Sequence, residues 1–270
     1  MKAFTATLPL ILICGCADDA ATPRIEVNLS ESRSGVLANA MAALRYKMAV
    51  IENNIANADT PAFKRSEVAL ADVSYSSVSL PGSELAQGNG VLVTGVTREF
   101  RSGSLRGTGR NLDVAVDGRG FFEVKLMDGS AGFTRNGRFQ VNADGKICTS
   151  GGLLVQPEIS LSQDVLDLSI SPEGLVSGRT GSSPDTTTQF GQLQLTNFIN
   201  PDGLLAQGEN NFRETPDSGP VIRGNPGDSG FGTVRQAFLE DSNVVLETEI
   251  ASLRWAREQY DLLQQLMLQR

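Results

Sequence analysis

The chain has 270 residues, a formal net charge of −8 and no histidine; 40% of its residues are apolar and 20% charged. That length holds one or two domains with a core of their own, and the composition is not that of a disordered chain. The acidic balance speaks against nucleic-acid binding, and the missing histidine removes Ser-His-Asp and Cys-His catalysis together with the commonest metal ligand.

Lys2 and the apolar stretch from Ala3 to Ile13 read as a short signal segment over residues 1–15. The stretch is too short to span a bilayer, which takes roughly 20 residues. Ile13-Cys14-Gly15-Cys16 resembles a bacterial lipobox, in which Cys16 receives the lipid and tethers the chain to a membrane without crossing it. A polar tether then runs over residues 16–33. The alternative is a chance apolar start from a misassigned start codon. Cys148 has no partner in such a mature chain and no Cys-x-x-Cys pair occurs, so neither a disulfide framework nor a zinc site is expected.

A helix is predicted over residues 34–58. Leu37, Met41, Leu44, Met48, Ile51 and Ile55 repeat as a strict heptad seam. Ser32 or Ser34 is the candidate N-cap, and Pro61 disfavours helix at Thr60. The Ser- and Gly-rich stretch that follows reads as a loop or extended arm, over residues 59–95.

Residues 96–241 carry the signals of short strands and tight turns, in keeping with 28 Gly, 11 Pro and few aromatics. Leu112 to Asp117 and Gln192 to Thr196 alternate, and Leu166, Leu168 and Ile170 are placed on one strand face. Asp128-Gly129, Asn136-Gly137 and Asp144-Gly145 read as hairpin turns. Phe121, Phe122, Phe133 and Phe139 are assigned to the core between these strands. Gly118-Arg119-Gly120 lies between two strands with no helix behind it, so it reads as a turn and not as a phosphate loop. Asp113 and Asp117 read as solvated or locally paired carboxylates, with no partners that would make an acid–base pair.

The pattern returns to helix over residues 242–270. Leu246, Ile250, Leu253, Ala256, Tyr260, Leu263 and Met267 form its apolar stripe, with Ser242 or Asp241 as N-cap and Glu247 and Glu249 at its positive end. Two apolar-striped helices thus bracket one β-rich insert. They can cover their stripes by pairing within one chain, or by pairing with copies in other subunits. The fold class predicted is α+β, with the terminal helices forming a coiled-coil-like layer and an all-β domain inserted between them.

Asn53-Asn54-Ile55-Ala56-Asn57-Ala58-Asp59-Thr60-Pro61-Ala62-Phe63-Lys64-Arg65 closely resembles the N-terminal signature of bacterial flagellar rod and hook proteins. Leu112 to Val124, Phe133 to Phe139 and Gly232 to Val244 resemble further motifs of that family, in the family's order. Together they cover about residues 33–265. The length, Asn200 to Leu204 and Gly208 to Phe212 fit the distal-rod branch best. The resemblance implies a structural subunit of a helical tube in the periplasmic rod of the basal body. Its implied partners are further copies of the chain and other rod and hook proteins; no enzyme activity and no cofactor are expected.

On this reading the assembly interface comprises the seam residues Leu37, Met41, Leu44, Met48, Ile51 and Ile55, and Leu246, Ile250, Leu253, Tyr260, Leu263 and Met267. Asn53, Asn54 and Asn57 end the helix and bond across subunits, and Phe63 is an apolar anchor beyond the turn. The family often has Gly where Ala62 stands, so a positive φ is not expected there. The family's axial proteins also begin close to the first helix. The residues ahead of it here leave three readings: a wrong upstream start, a membrane-tethered paralogue that binds the rod or its surroundings, or an unusual N-terminus.

Overall fold

The computed structural model describes residues 29–73, 76–80 and 83–269, with side chains placed at 35–73 and 88–269. The signal segment, the lipobox and Cys16 lie outside the described residues. Helix α1 spans Leu29–Ala56. An extended ribbon follows: β1 (Ser66–Asp72), β2 (Ser76–Leu80), β3 (Ser83–Gln87) and β4 (Val91–Arg98). The central part opens with β5 (Leu105–Gly107), β6 (Val114–Asp117), β7 (Phe121–Lys125), β8 (Ala131–Thr134), β9 (Phe139–Val141), β10 (Ile147–Thr149) and β11 (Leu154–Gln156). It continues with β12 (Val165–Ile170), β13 (Leu175–Thr180), β14 (Ser183–Gln192), β15 (Leu195–Asn197), β16 (Leu205–Gly208) and β17 (Asn211–Arg213). It closes with β18 (Ile222–Gly224), β19 (Thr233–Gln236) and β20 (Phe238–Glu240), before α2 (Leu246–Leu268).

The largest sheet is antiparallel in the order β16-β17-β8-β7-β11-β10-β9, and β15 joins it by pairing with β7 and β18. Strand β7 is its hinge line, and its two phenylalanines separate the core. Consecutive strand residues point to opposite faces. Phe122 therefore enters one cluster, edge-on to Phe139 at 5.0 Å, with Val114, Ile147 and Leu195 around it. Phe121 enters a second cluster with Phe133, Phe198 and Phe212. The four aromatics assigned to one core thus fill two. Strands β12-β13-β14 form a separate sheet that closes the first cluster through Ile170 and Val176. A bulge between Val165 and Asp167 breaks the expected alternation, so Leu166 faces solvent while Ile170 stays buried. Strand β6 pairs with β19 and β5 with β20, which brings the end of the strand region back beside its start.

The stretch read as a loop or arm is a ribbon. β1 and β4 pair antiparallel with Ser66 opposite Arg98, and β2 pairs with β3 beyond them. α1 begins at Leu29, so Ser32 and Ser34 lie within the helix and not ahead of it. α2 is preceded by Val245, which makes no side-chain cap.

The expected coiled-coil-like layer is corrected. Among the described residues the chain is mostly β-strand, with only two helices flanking it. α1 packs on α2 of the same chain and also against β1 and β4. On α1 the buried positions are Ala43, Ile51 and Asn54, and only Ile51 belongs to the heptad seam. A coiled coil buries its a and d positions along the whole length. Here the ribbon takes part of the α1 surface, and a polar residue closes the helix pair at one end.

Asp128-Gly129 and Asp144-Gly145 turn hairpins, with Gly129 at φ 82° and Gly145 at φ 78°. Asn136-Gly137 does not, because β8 and β9 pair with other strands. Gly137 instead lies against Val114, whose amide donates to the Gly137 carbonyl at 3.0 Å. A Cβ on Gly137 would stand 1.6 Å from the Val114 carbonyl oxygen. Gly137→Ala is therefore expected to destabilise the fold by about 2 kcal/mol or more. Gly129→Ala, with open space around it, should cost only the roughly 1 kcal/mol of a left-handed alanine. Thermal or urea denaturation of the two variants side by side checks the order.

Candidate functional site

Two of the sequence motifs, residues 53–65 and 232–244, meet where the helix pair joins the strands. Beyond α1 the Asn57 side chain donates to the Asn53 carbonyl at 2.9 Å, and the Thr60 hydroxyl donates to the Asn57 side-chain oxygen at 3.2 Å. This satisfies groups that a helix end leaves open. Ala62 then adopts φ 58°, contrary to the expectation from its side chain. Its amide donates to the Glu240 carbonyl at 2.8 Å, and that bond holds the turn. Phe63 is buried just beyond.

Glu240 is the centre of the junction. Its side chain has no exposed surface, yet Lys64 Nζ lies 2.5 Å from Oε1 and Arg135 Nε 2.7 Å from Oε2. The Gly103 amide donates to Oε1 at 2.9 Å. Lys64 also donates to the Arg101 carbonyl, and Arg135 to the carbonyls of Val116, Gly118 and Gly120. Burial by itself raises a carboxyl pKa; the Arg135 and Lys64 charges outweigh it and hold Glu240 below its ordinary value of 4.5.

A second polar group ties the helices to this centre. Asn54 is fully buried. Its side-chain oxygen accepts from the Ser66 amide at 2.9 Å, and its nitrogen donates to the Ser66 carbonyl at 2.8 Å and to Glu249 Oε2 at 3.1 Å. Arg65 Nε donates to Glu249 Oε1 at 2.6 Å. Asn243 accepts from the Arg65 amide at 2.7 Å and donates to the Glu99 and Arg101 carbonyls. One asparagine, one glutamate and one arginine thus join α1, β1 and α2. Among the described residues, no group of acidic or thiol side chains is placed to hold a metal ion.

The candidate interface residues divide. Ile51 is buried, while Leu37, Met41, Leu44, Met48, Ile55, Leu253, Tyr260 and Leu263 are half-buried. Leu246, Ile250 and Met267 are exposed. Tyr260 accepts a hydrogen bond from Arg45 on α1. Asn53 and Asn57 border a cleft of about 510 Å³ between the end of α1 and the strands. Asn54 and Asn57 both have their amides bonded inside the chain. The sequence reading missed Lys64, Arg65, Arg135, Glu240, Asn243 and Glu249 as a set. Their one local signal is a glutamate, Glu249, set directly before Ile250 of the apolar stripe.

Removing one partner of a buried ion pair leaves an uncompensated charge, so Glu240→Gln should cost about 3–5 kcal/mol of stability. The lowered Glu240 pKa also sets a pH dependence. Its contribution is complete above the ordinary value of 4.5 and is lost as pH falls through the lower folded value. Denaturation midpoints of wild type and Glu240→Gln should therefore differ most above pH 5 and converge in acid.

Residues 36–64 match the family described as flagella basal body rod protein. Residues 115–178 match the flagellar hook protein FlgE/F/G D1 domain. The flagellar basal-body rod protein FlgG of Buchnera aphidicola is 37% identical over 232 residues, covering 82% of this chain and 88% of that protein. FlgG of Caulobacter vibrioides is 37% identical over 83% of this chain and 90% of that protein. FlgG of Bacillus subtilis is 34% identical over 79% and 85%. The two matched stretches contain Lys64 and Arg135, the cations of the buried junction. The chain belongs to the flagellar basal-body rod protein family and is a structural subunit of the basal-body rod.

Proposed function

We propose that this chain polymerises with copies of itself into the tubular wall of the distal rod, next to other rod and hook proteins, in a structural and non-enzymatic role. The observation that carries the reading is the apolar surface that α2 leaves uncovered in a single chain. Leu246, Ile250, Trp255, Leu262, Leu266 and Met267 are all exposed along it, with Trp255 at 51% and Leu262 at 50%. Trp255, Leu262 and Leu266 share one side of the helix, and an exposed apolar stripe of this kind marks a contact with another macromolecule. One face repeated on identical subunits and met by a different face gives an open helical array. In this arrangement the strands carry the outer surface, and the junction at Glu240 transmits load from the helix pair to them. Asn53, whose side-chain nitrogen donates no hydrogen bond among the described residues, is the amide at the cleft left to fix the axial register, while Asn57 holds the turn through Asn53 and Thr60.

A second reading rests on Ile13-Cys14-Gly15-Cys16. Lipidation at Cys16 would make the chain a tethered relative that binds the rod from a membrane surface. Mass spectrometry of the mature N-terminus separates the two: an acylated Cys16 peptide supports the tether, and a mature chain starting nearer α1 rejects it.

Trp255→Ser and Leu262→Ser, singly and together, are expected to leave the stability of the isolated chain within about 0.5 kcal/mol. The double variant should nevertheless abolish sedimenting polymer and motility. Motility equal to wild type in that variant would refute assembly through this surface.

A further inference from the structure

Arg98 ends β4, and its guanidinium lies over the Phe212 ring with Cζ 5.6 Å from the centroid. Both side chains line the cleft at the end of α1, beside Asn53, Asn57 and Phe63. Arg98 is half-buried, and among the described residues it makes no ion pair. Burial pushes its guanidinium below its ordinary value, with no neighbouring carboxylate to offset the effect. The surrounding acids are engaged or apart. Arg65 holds Glu67 at 3.1 Å and Arg101 holds Glu99 at 3.1 Å. Asp202 borders a neighbouring depression with Arg98, and Glu209 lines the same cleft with its carboxylate beside Gly151; neither forms an ion pair with Arg98. A half-buried guanidinium without a counter-ion is an incomplete site, since its planar fork is matched to a carboxylate. The cleft has room for a side chain, and the Asn53 side-chain nitrogen beside it donates no hydrogen bond among the described residues.

We infer that Arg98 receives a carboxylate from a second copy of this chain, seated in the cleft between α1 and β17. This rests on the self-assembly proposed above and names the chemistry of one contact within it. Charge complementarity supplies the occupant. The chain carries 31 acidic against 23 basic residues. On α2, Glu247, Glu258 and Asp261 face solvent without a cation partner among the described residues. A contact of this type sets register and partner choice more than bulk affinity.

The test uses the full chain in its own cells, with Arg98 kept and a photo-crosslinking amino acid at position 206, on the wall of the same cleft, and, separately, an aromatic one at position 255. Basal bodies are isolated and the links mapped by mass spectrometry. The expected result is a link from position 206 to an acid-bearing segment of a second copy. A link to a different protein, or only within the same chain, overturns the inference. Links from position 255 without any from position 206 overturn this contact and leave self-assembly standing; links from neither position sink both. Arg98→Met is the functional arm. It should leave the melting temperature of the isolated chain unchanged or raised, and reduce copy-to-copy linking from position 255 about tenfold. Arg98→Lys should recover part of that loss. Normal linking in Arg98→Met, or a fall in its melting temperature as large as that of Glu240→Gln, refutes the inference. Asp202→Asn should behave as wild type; if it reproduces Arg98→Met, the partner lies within the chain and the inference fails.

Discussion

The buried carboxylate of Glu240 is the centre of the junction between the helix pair and the strands. Glu240 closes the last strand, and the two cations it binds come from opposite directions: Lys64 from the turn after α1 and Arg135 from the end of β8. Each of these charges loses several kcal/mol of hydration on burial. The loss is offset because the ions pair with one another and with the surrounding backbone. Gly103 donates to the carboxylate, and four backbone carbonyls accept from the two cations. An apolar cluster of similar volume would stabilise the fold as well, but it would not fix one angle between helix pair and strands. Directional bonds do that.

The neighbouring geometry follows from this constraint. Asp241 passes so close to Gly103 that a Cβ there would stand 2.0 Å from its carbonyl oxygen. Ala62 accepts a left-handed backbone because its amide must reach the Glu240 carbonyl. Such a conformation costs about 1 kcal/mol in a non-glycine residue and persists only where its surroundings determine it. Asn54 and Glu249 extend the same logic to the helices, placing polar groups where a simple coiled coil would place leucine. The helix pair is thereby closed at the junction end and left apolar along its outer surface.

That division suits a subunit of a rod. The junction and the two phenylalanine clusters are satisfied within one chain and make the subunit stiff. The α2 surface, the cleft and Arg98 are unsatisfied and look outward. In the assembly we propose, stability and association draw on different residues, so one can be altered without the other.

Much was legible in the linear order of residues. The two helices, the strand-rich middle and the hairpins at Asp128-Gly129 and Asp144-Gly145 depend on local periodicity and turn chemistry, which act over a few residues, and the family motifs are legible by resemblance alone. Tertiary structure decided the rest. The heptad seam of α1 predicted burial at every seam position, yet the ribbon and Asn54 compete for that helix and only Ile51 is fully covered. Asn136-Gly137 reads as a hairpin, yet its glycine serves a close approach to Val114, a residue more than twenty positions away. The junction was the least legible part, because Lys64, Arg135 and Glu240 are each an ordinary charged residue in sequence. Their meeting depends on strand pairing that returns β20 beside β5, and burial, which makes the charges matter, is a property of the folded whole.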